Sequence, residues 1–144
     1  DKREEIRVVQ GVTSSISAAA SLGAPLMHDF CQISLSDLMT DWSLIEKRLE
    51  LASMADFVIC IYNPKSKGRP NHLRRAFEIM QAYKPATTPV GIVKNAGRTN
   101  EEKYIKTLES MDFEVCDMST MIIVGNKETY IDGDKIITPR GYGI

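Results

Sequence analysis

Cysteine is scarce and scattered in this chain. Cys31, Cys60 and Cys116 are odd in number, far apart and free of any Cys-x-x-Cys spacing, which argues against a disulfide framework and offers no zinc pattern. No metal site is expected. Long apolar runs are missing too: none approaches the roughly 20 residues that span a bilayer, and the first residues carry no signal-peptide pattern. The expectation is a soluble, cytoplasmic protein without a membrane partner. A strong charge of either sign is also absent. The net charge of −1 gives no global field for nucleic acid or anionic lipid, so any electrostatic argument has to be local. Internal repeats, low-complexity stretches and long linkers do not occur. The first residue is Asp1 and not Met, and the chain opens as if inside a larger protein.

What is present suits one packed domain. The 144 residues are 43% hydrophobic and 26% charged, within the ordinary range for a domain of about 100 to 150 residues. Strand and helix signals alternate. Arg7-Val8-Val9-Gln10 reads as the last strand of a sheet whose other strands are not in this sequence, and a helix of very small side chains follows the turn at Gly11-Val12-Thr13-Ser14. Gly23-Ala24-Pro25 is the one candidate boundary. It divides residues 1–25, read as the end of a preceding N-terminal domain and its linker, from residues 26–144, read as a C-terminal α/β domain.

Within the second part, Trp42, Ile45, Leu49 and Ala52 share the spacing of one helix face, with Glu46, Lys47 and Glu50 left for solvent. Residues 56–62 are apolar on both faces, as in the middle of a sheet covered on both sides, and Cys60 within them is a buried structural thiol. A helix begins near Arg69-Pro70 and runs through Leu73, Ala76, Phe77 and Met80 toward Tyr83. Residues 88–93 form the next strand. Asn100 then reads as the cap of a helix containing Tyr104, Ile105 and Leu108. Residues 121–124 are a further strand, and Thr129-Tyr130-Ile131 pairs with Lys135-Ile136-Ile137 through Asp132-Gly133-Asp134. The fold class is α/β: a mixed sheet flanked by helices and ending in a β-hairpin.

Three loops leave the carboxyl ends of strands, where ligands gather in sheets of this kind. At Thr13-Ser14, hydroxyls and free N–H groups meet a ligand or merely cap a helix. From Asn63 to Phe77 there are five Lys or Arg and no acid. Such a patch suits a polyanion, either a phosphate backbone or a molecule with several carboxylates; a solvated helix face is the competing reading. Lys94-Asn95-Ala96-Gly97-Arg98 has small residues against which a flat ligand can lie, although Gly97 could be supplying only a turn.

These segments together resemble the tetrapyrrole methylase family. The matching residues are Gly11-Val12-Thr13-Ser14, Ala18-Ala19-Ala20, Leu22-Gly23-Ala24-Pro25-Leu26-Met27-His28-Asp29-Phe30 and Ile33-Ser34-Leu35-Ser36-Asp37-Leu38. They continue through the loop Tyr62-Asn63-Pro64-Lys65-Ser66-Lys67-Gly68-Arg69-Pro70, then residues 89–98, Ile123-Val124-Gly125-Asn126 and Thr138-Pro139-Arg140-Gly141-Tyr142. The Tyr-Asn-Pro loop and the terminal Thr-Pro-Arg-Gly-Tyr are similar to the branch whose reaction methylates C-17 of precorrin-3B, or of its cobalt-containing counterpart, with contraction of the ring.

The resemblance implies transfer of a methyl group from S-adenosylmethionine to a corrin precursor by a two-domain enzyme, commonly a homodimer. By position it implies donor contacts at Thr13, Ser14, Tyr62, Asn63, Asn95, Ala96 and Met121. Many relatives have Met-Gly where this chain has Tyr62-Asn63. Substrate contacts are expected at His28, Asp29, Lys65, Lys67 and Arg69, the last three meeting acetate and propionate side chains. No catalytic acid or base is assigned, because the sulfonium is already an activated leaving group. The family's glycine-rich loop and Gly-Asp-Pro segment are not among these residues, so the chain alone is expected to be inactive. Two other classes compete: a non-catalytic dimerisation or regulatory module, and an RNA-linked role that the near-neutral charge disfavours.

Overall fold

A computed structural model describes residues 15–64 and 71–141. Its first element, α1, is helical over 15–22. Next come β1 (Gly23–Ala24), β2 (Phe30–Ser34), α2 (Trp42–Met54), β3 (Val58–Tyr62), α3 (His72–Gln81), β4 (Pro89–Lys94) and β5 (Glu102–Thr107). A 3-10 turn at Phe113–Val115 leads to β6 (Thr120–Val124), β7 (Tyr130–Asp132) and β8 (Lys135–Ile137). The strand expected over residues 7–10 lies outside the described residues.

Five strands form a mixed sheet in the order β2-β3-β6-β4-β5. β2 and β3 are parallel, whereas β6 runs antiparallel to both β3 and β4. The expected hairpin is present, with β7 antiparallel to β8. It belongs to a separate three-stranded sheet, because β1 pairs parallel with β8 through Gly23↔Ile136 and Ala24↔Ile137.

The sheet is buried on both faces, as the continuous apolar run of β3 requires. Alternation along the strands divides the core in two. Ile59, Ile61, Val90, Ile92, Ile122 and Val124 face α2 and α3, which contribute Ile45, Leu49, Leu73, Phe77 and Met80. Val58, Cys60, Val93, Met121 and Ile123 face the other way, onto Ala18 and Leu22 of α1 and Ile136 of β8. α1 lies close because Gly91 has no side chain: a Cβ there would stand 2.4 Å from Leu22 Cδ1.

One sequence expectation is corrected. Residues 102–107 are a strand and not a helix capped by Asn100: β5 pairs antiparallel with β4 over six residues, from Pro89↔Thr107 to Lys94↔Glu102. Tyr104 packs into one core and Ile105 into the other, the period of two that a strand imposes. Spacing of apolar residues alone could not separate the two, because 104, 105 and 108 also share a helix face.

Candidate functional site

Strand directions bring one end of each of the five strands to one edge of the sheet. β2, β3 and β4 end there at Ser34, Tyr62 and Lys94, while β5 and β6 begin there, as the pairs Ser34↔Tyr62, Lys94↔Thr120 and Lys94↔Glu102 show. The described end of α1 reaches the same place: buried Ser15 hydrogen-bonds Gln32 of β2 through its hydroxyl and lies 3.8 Å from Met121 Sδ. α2 and α3 start at this edge as well. Their first residues stack, with the Trp42 and His72 rings 3.8 Å apart and 7° from parallel. His72 Nε2 stands 3.9 Å from Asp37 Oδ2, and its Nδ1 is buried without a hydrogen-bond partner among the described residues.

The backbone turns sharply as it leaves the two strands on either side of β6. Asn63 has φ 51° and Asn95 φ 55°, left-handed conformations that few residues other than glycine adopt and that asparagine tolerates best. Asn63 Nδ2 donates to Ser34 Oγ at 3.0 Å, tying the exit of β3 to that of β2. The Asn95 N–H donates to Ser119 O at 3.2 Å. Gly97 follows with φ 79° and packs near Ser17 of α1.

Two carboxylates brace these loops. Asp117 accepts from the Ser119 N–H at 2.8 Å, Ser119 Oγ at 2.6 Å and Thr120 Oγ1 at 3.1 Å, and lies 3.4 Å from Lys94 Nζ. The Ser119 hydroxyl bond, then the neighbouring donors, bring its pKa down to about 2. Glu101 accepts from the Gly97 N–H at 2.8 Å and Ser21 Oγ at 2.7 Å, and those two bonds lower its pKa. Neither brace was legible in the sequence. An Asp-x-Ser-Thr run before a strand is a usable signal for the first; the second joins residues 80 apart.

Tyr62, Asn63, Asn95 and Ala96 are thus brought together at this edge. Met121 arrives with its side chain turned inward, 6% exposed within the core beneath α1, so only its backbone faces the edge. His28 and Asp29 are not brought there. They precede β2 and stand a strand's length away at the opposite end of the sheet. The Asp29 N–H donates to His28 Nδ1 at 2.7 Å, and the His28 ring lies against the backbone of Gly141, where a Cβ would come within 2.7 Å of Nε2. Thr13, Ser14, Lys65, Lys67 and Arg69 lie outside the described residues. Among the described residues no group of three or more His, Cys, Asp or Glu is placed to hold a metal ion, and no helix is long and apolar enough to cross a membrane.

Comparison with known proteins gives this edge its context. The family model of the tetrapyrrole (corrin/porphyrin) methylases matches residues 1–112, and the chain belongs to that family. A Salmonella typhimurium protein named probable cobalt-factor III C(17)-methyltransferase is 61% identical over 138 residues, covering 96% of this chain and 57% of that protein. A precorrin-3B C(17)-methyltransferase of Sinorhizobium sp is 45% identical over 146 residues, covering 98% of this chain and 58% of its own. The crystal structure of the methyltransferase CobJ superposes with a TM-score of 0.83 at 35% identity, over 87% of this chain and 52% of that one. The chain therefore spans a little over half the length of these relatives. The cobalt precorrin-4 methyltransferase CbiF, at 19% identity and a TM-score of 0.56, shares the fold.

Proposed function

We propose that this chain supplies the C-terminal part of an S-adenosylmethionine-dependent methyltransferase acting at C-17 of a corrin precursor, precorrin-3B or its cobalt-containing counterpart, with contraction of the ring. The observation that carries the reading is the convergence of Tyr62, Asn63, Asn95 and Ala96 on one sheet edge with two left-handed asparagines. Residues 1–25 are read as the end of a preceding domain and its linker, with α1 docked on the sheet, and residues 26–144 as the C-terminal domain. The protein is read as a cytoplasmic homodimer.

The residues present fit the donor. Ala96 and Gly97 carry almost no side chain, so a flat heterocycle can lie against the backbone, and the half-exposed Tyr62 ring offers a second flat surface. When bound, the donor supplies an activated methyl group. The chain's own residues orient and desolvate. Asn63, Asn95 and the Asp117 and Glu101 braces hold the loops in place before any ligand arrives, which preserves the alignment that methyl transfer depends on. Exposed Leu38 and Met39, beyond β2, and Met118, before β6, present apolar surface at the same edge for one face of a macrocycle.

The test is calorimetric titration of the longer protein and of these 144 residues with S-adenosylhomocysteine, beside a methyl-transfer assay on a corrin precursor. Binding and transfer by the longer protein, with neither by the 144 residues, is the expected result. A longer protein that binds the ligand and methylates no tetrapyrrole would overturn the reading.

A further inference from the structure

We propose that Arg98 is a carboxylate receptor, holding an acidic side chain of the tetrapyrrole at the sheet edge; the assignment rests on the reading of that edge given above. Arg98 lies in the loop between β4 and β5, and three features set it apart from an ordinary solvated arginine.

The first is the rigidity of its backbone. The Arg98 N–H donates to Asn95 O at 3.0 Å, and the Glu101 N–H donates to Arg98 O at 3.2 Å, so two turns close on either side of it. The Glu101 carboxylate then joins Gly97 N–H to Ser21 Oγ, anchoring the loop to α1. A backbone fixed in this way needs no further ordering when the side chain binds.

The second is the commitment of the neighbouring acids elsewhere. Glu101 is occupied by Gly97 and Ser21, Glu102 accepts from Tyr104 Oη at 2.8 Å, and Asp117 is taken by Ser119, Thr120 and Lys94. The third is the contrast with the other cations nearby. Lys94 is paired with Asp117, and Lys103 donates to Ser21 O at 3.1 Å and lies 3.6 Å from Asp134. Arg98 is exposed, and its guanidinium has no hydrogen bond or ion pair among the described residues. A fork of donors left unpaired, on a braced loop at a ligand edge, matches a carboxylate brought by the ligand.

That carboxylate has two possible sources: an acetate or propionate of the tetrapyrrole, or the amino-acid end of the methyl donor. The experiment separates them in the full-length protein, comparing Arg98→Ala and Arg98→Lys with the parent. An octacarboxylate porphyrin is titrated by fluorescence, its methyl ester serves as a control, and S-adenosylhomocysteine is titrated by calorimetry. For Arg98→Ala the free-acid porphyrin should bind about tenfold more weakly, by a margin that shrinks as salt is added. The ester and the S-adenosylhomocysteine should bind as in the parent, and Arg98→Lys should recover part of the loss. Weakening of the S-adenosylhomocysteine titration alone would overturn the tetrapyrrole assignment and move the contact to the donor. No change in either titration would overturn the receptor itself. A parent protein that binds neither probe would instead sink the reading of the edge, and the role of Arg98 with it.

Discussion

Lys84 is the residue whose sequence context is least informative about what it does. Between Tyr83 and Pro85 it reads as a surface position at a helix end, yet its side chain is 0% exposed. Nζ donates to Phe57 O at 2.8 Å, Gly125 O at 2.9 Å and Asp56 Oδ1 at 3.2 Å, so all three of its protons are used. Burial pushes its pKa down, and the paired Asp56 offsets part of that. Lys84→Met would take the Nζ donor from the Phe57 and Gly125 carbonyls and leave Asp56 with only the Lys127 N–H, and should cost about 3 kcal/mol of stability. Urea unfolding checks this: the midpoint should drop with the slope unchanged. At the opposite end of the sheet, Asp117 gives a pH dependence. Its pKa is lowered from 3.8 to about 2, so the folded state favours the ionised form. Its contribution is full above pH 4 and is lost as pH falls toward 2. Asp117→Asn should therefore flatten the fall in stability over that interval, modestly because the side chain is half exposed. An unaltered acid limb would mean that the turn before β6 does not depend on the charge.

At the scale of elements, α1 and β5 show how position decides what composition leaves open. α1 is a helix of small residues that lies over the sheet through Ala18 and Leu22, and it can do so because position 91 has no side chain. Gly91→Ala should cost about 1 to 3 kcal/mol through overpacking against Leu22. Adding Leu22→Ala should return part of that cost. Thermal unfolding of the two single variants and the double variant closes the cycle; strict additivity would mean that α1 does not rest on Gly91. β5 is the reverse case. Its residues Glu102-Lys103-Tyr104-Ile105-Lys106-Thr107 follow a plausible cap at Asn100, and only the open edge of β4 makes them a strand. The helices and central strands were easier. α2 buries Ile45, Leu49 and Ala52, and α3 buries Leu73, Ala76, Phe77 and Met80, as their spacing requires.

Across the whole molecule, the sheet's two faces and its carboxyl edge have separate tasks. One face takes α2 and α3, the other takes α1 and β8, and the edge between them collects the exits of β2, β3 and β4 with the entries of β5 and β6. Tyr62 and Asn95 are 33 positions apart in sequence and belong to one edge because only β6 separates their strands. Buried Cys60 takes no part: it faces the α1 side of the core, and desolvation raises its thiol pKa to about 12. The matched relatives are nearly twice as long as this chain, which is why the titration proposed above sets the longer protein beside the 144 residues.

The sequence by itself determined the family, the α/β class, the two core helices and the hairpin. Local spacing and turn chemistry are written into neighbouring residues. The tertiary structure alone decided that residues 102–107 form a strand, that Met121 turns inward, and that His28 and Asp29 stand at the far end of the sheet. It also decided that Lys84 is a buried staple and that Glu101 and Glu102, close to Arg98 in sequence, are hydrogen-bonded to Gly97, Ser21 and Tyr104. Each of those outcomes depends on partners brought together by strand order, and strand order is set by pairing across the whole sheet, which no local window of sequence contains.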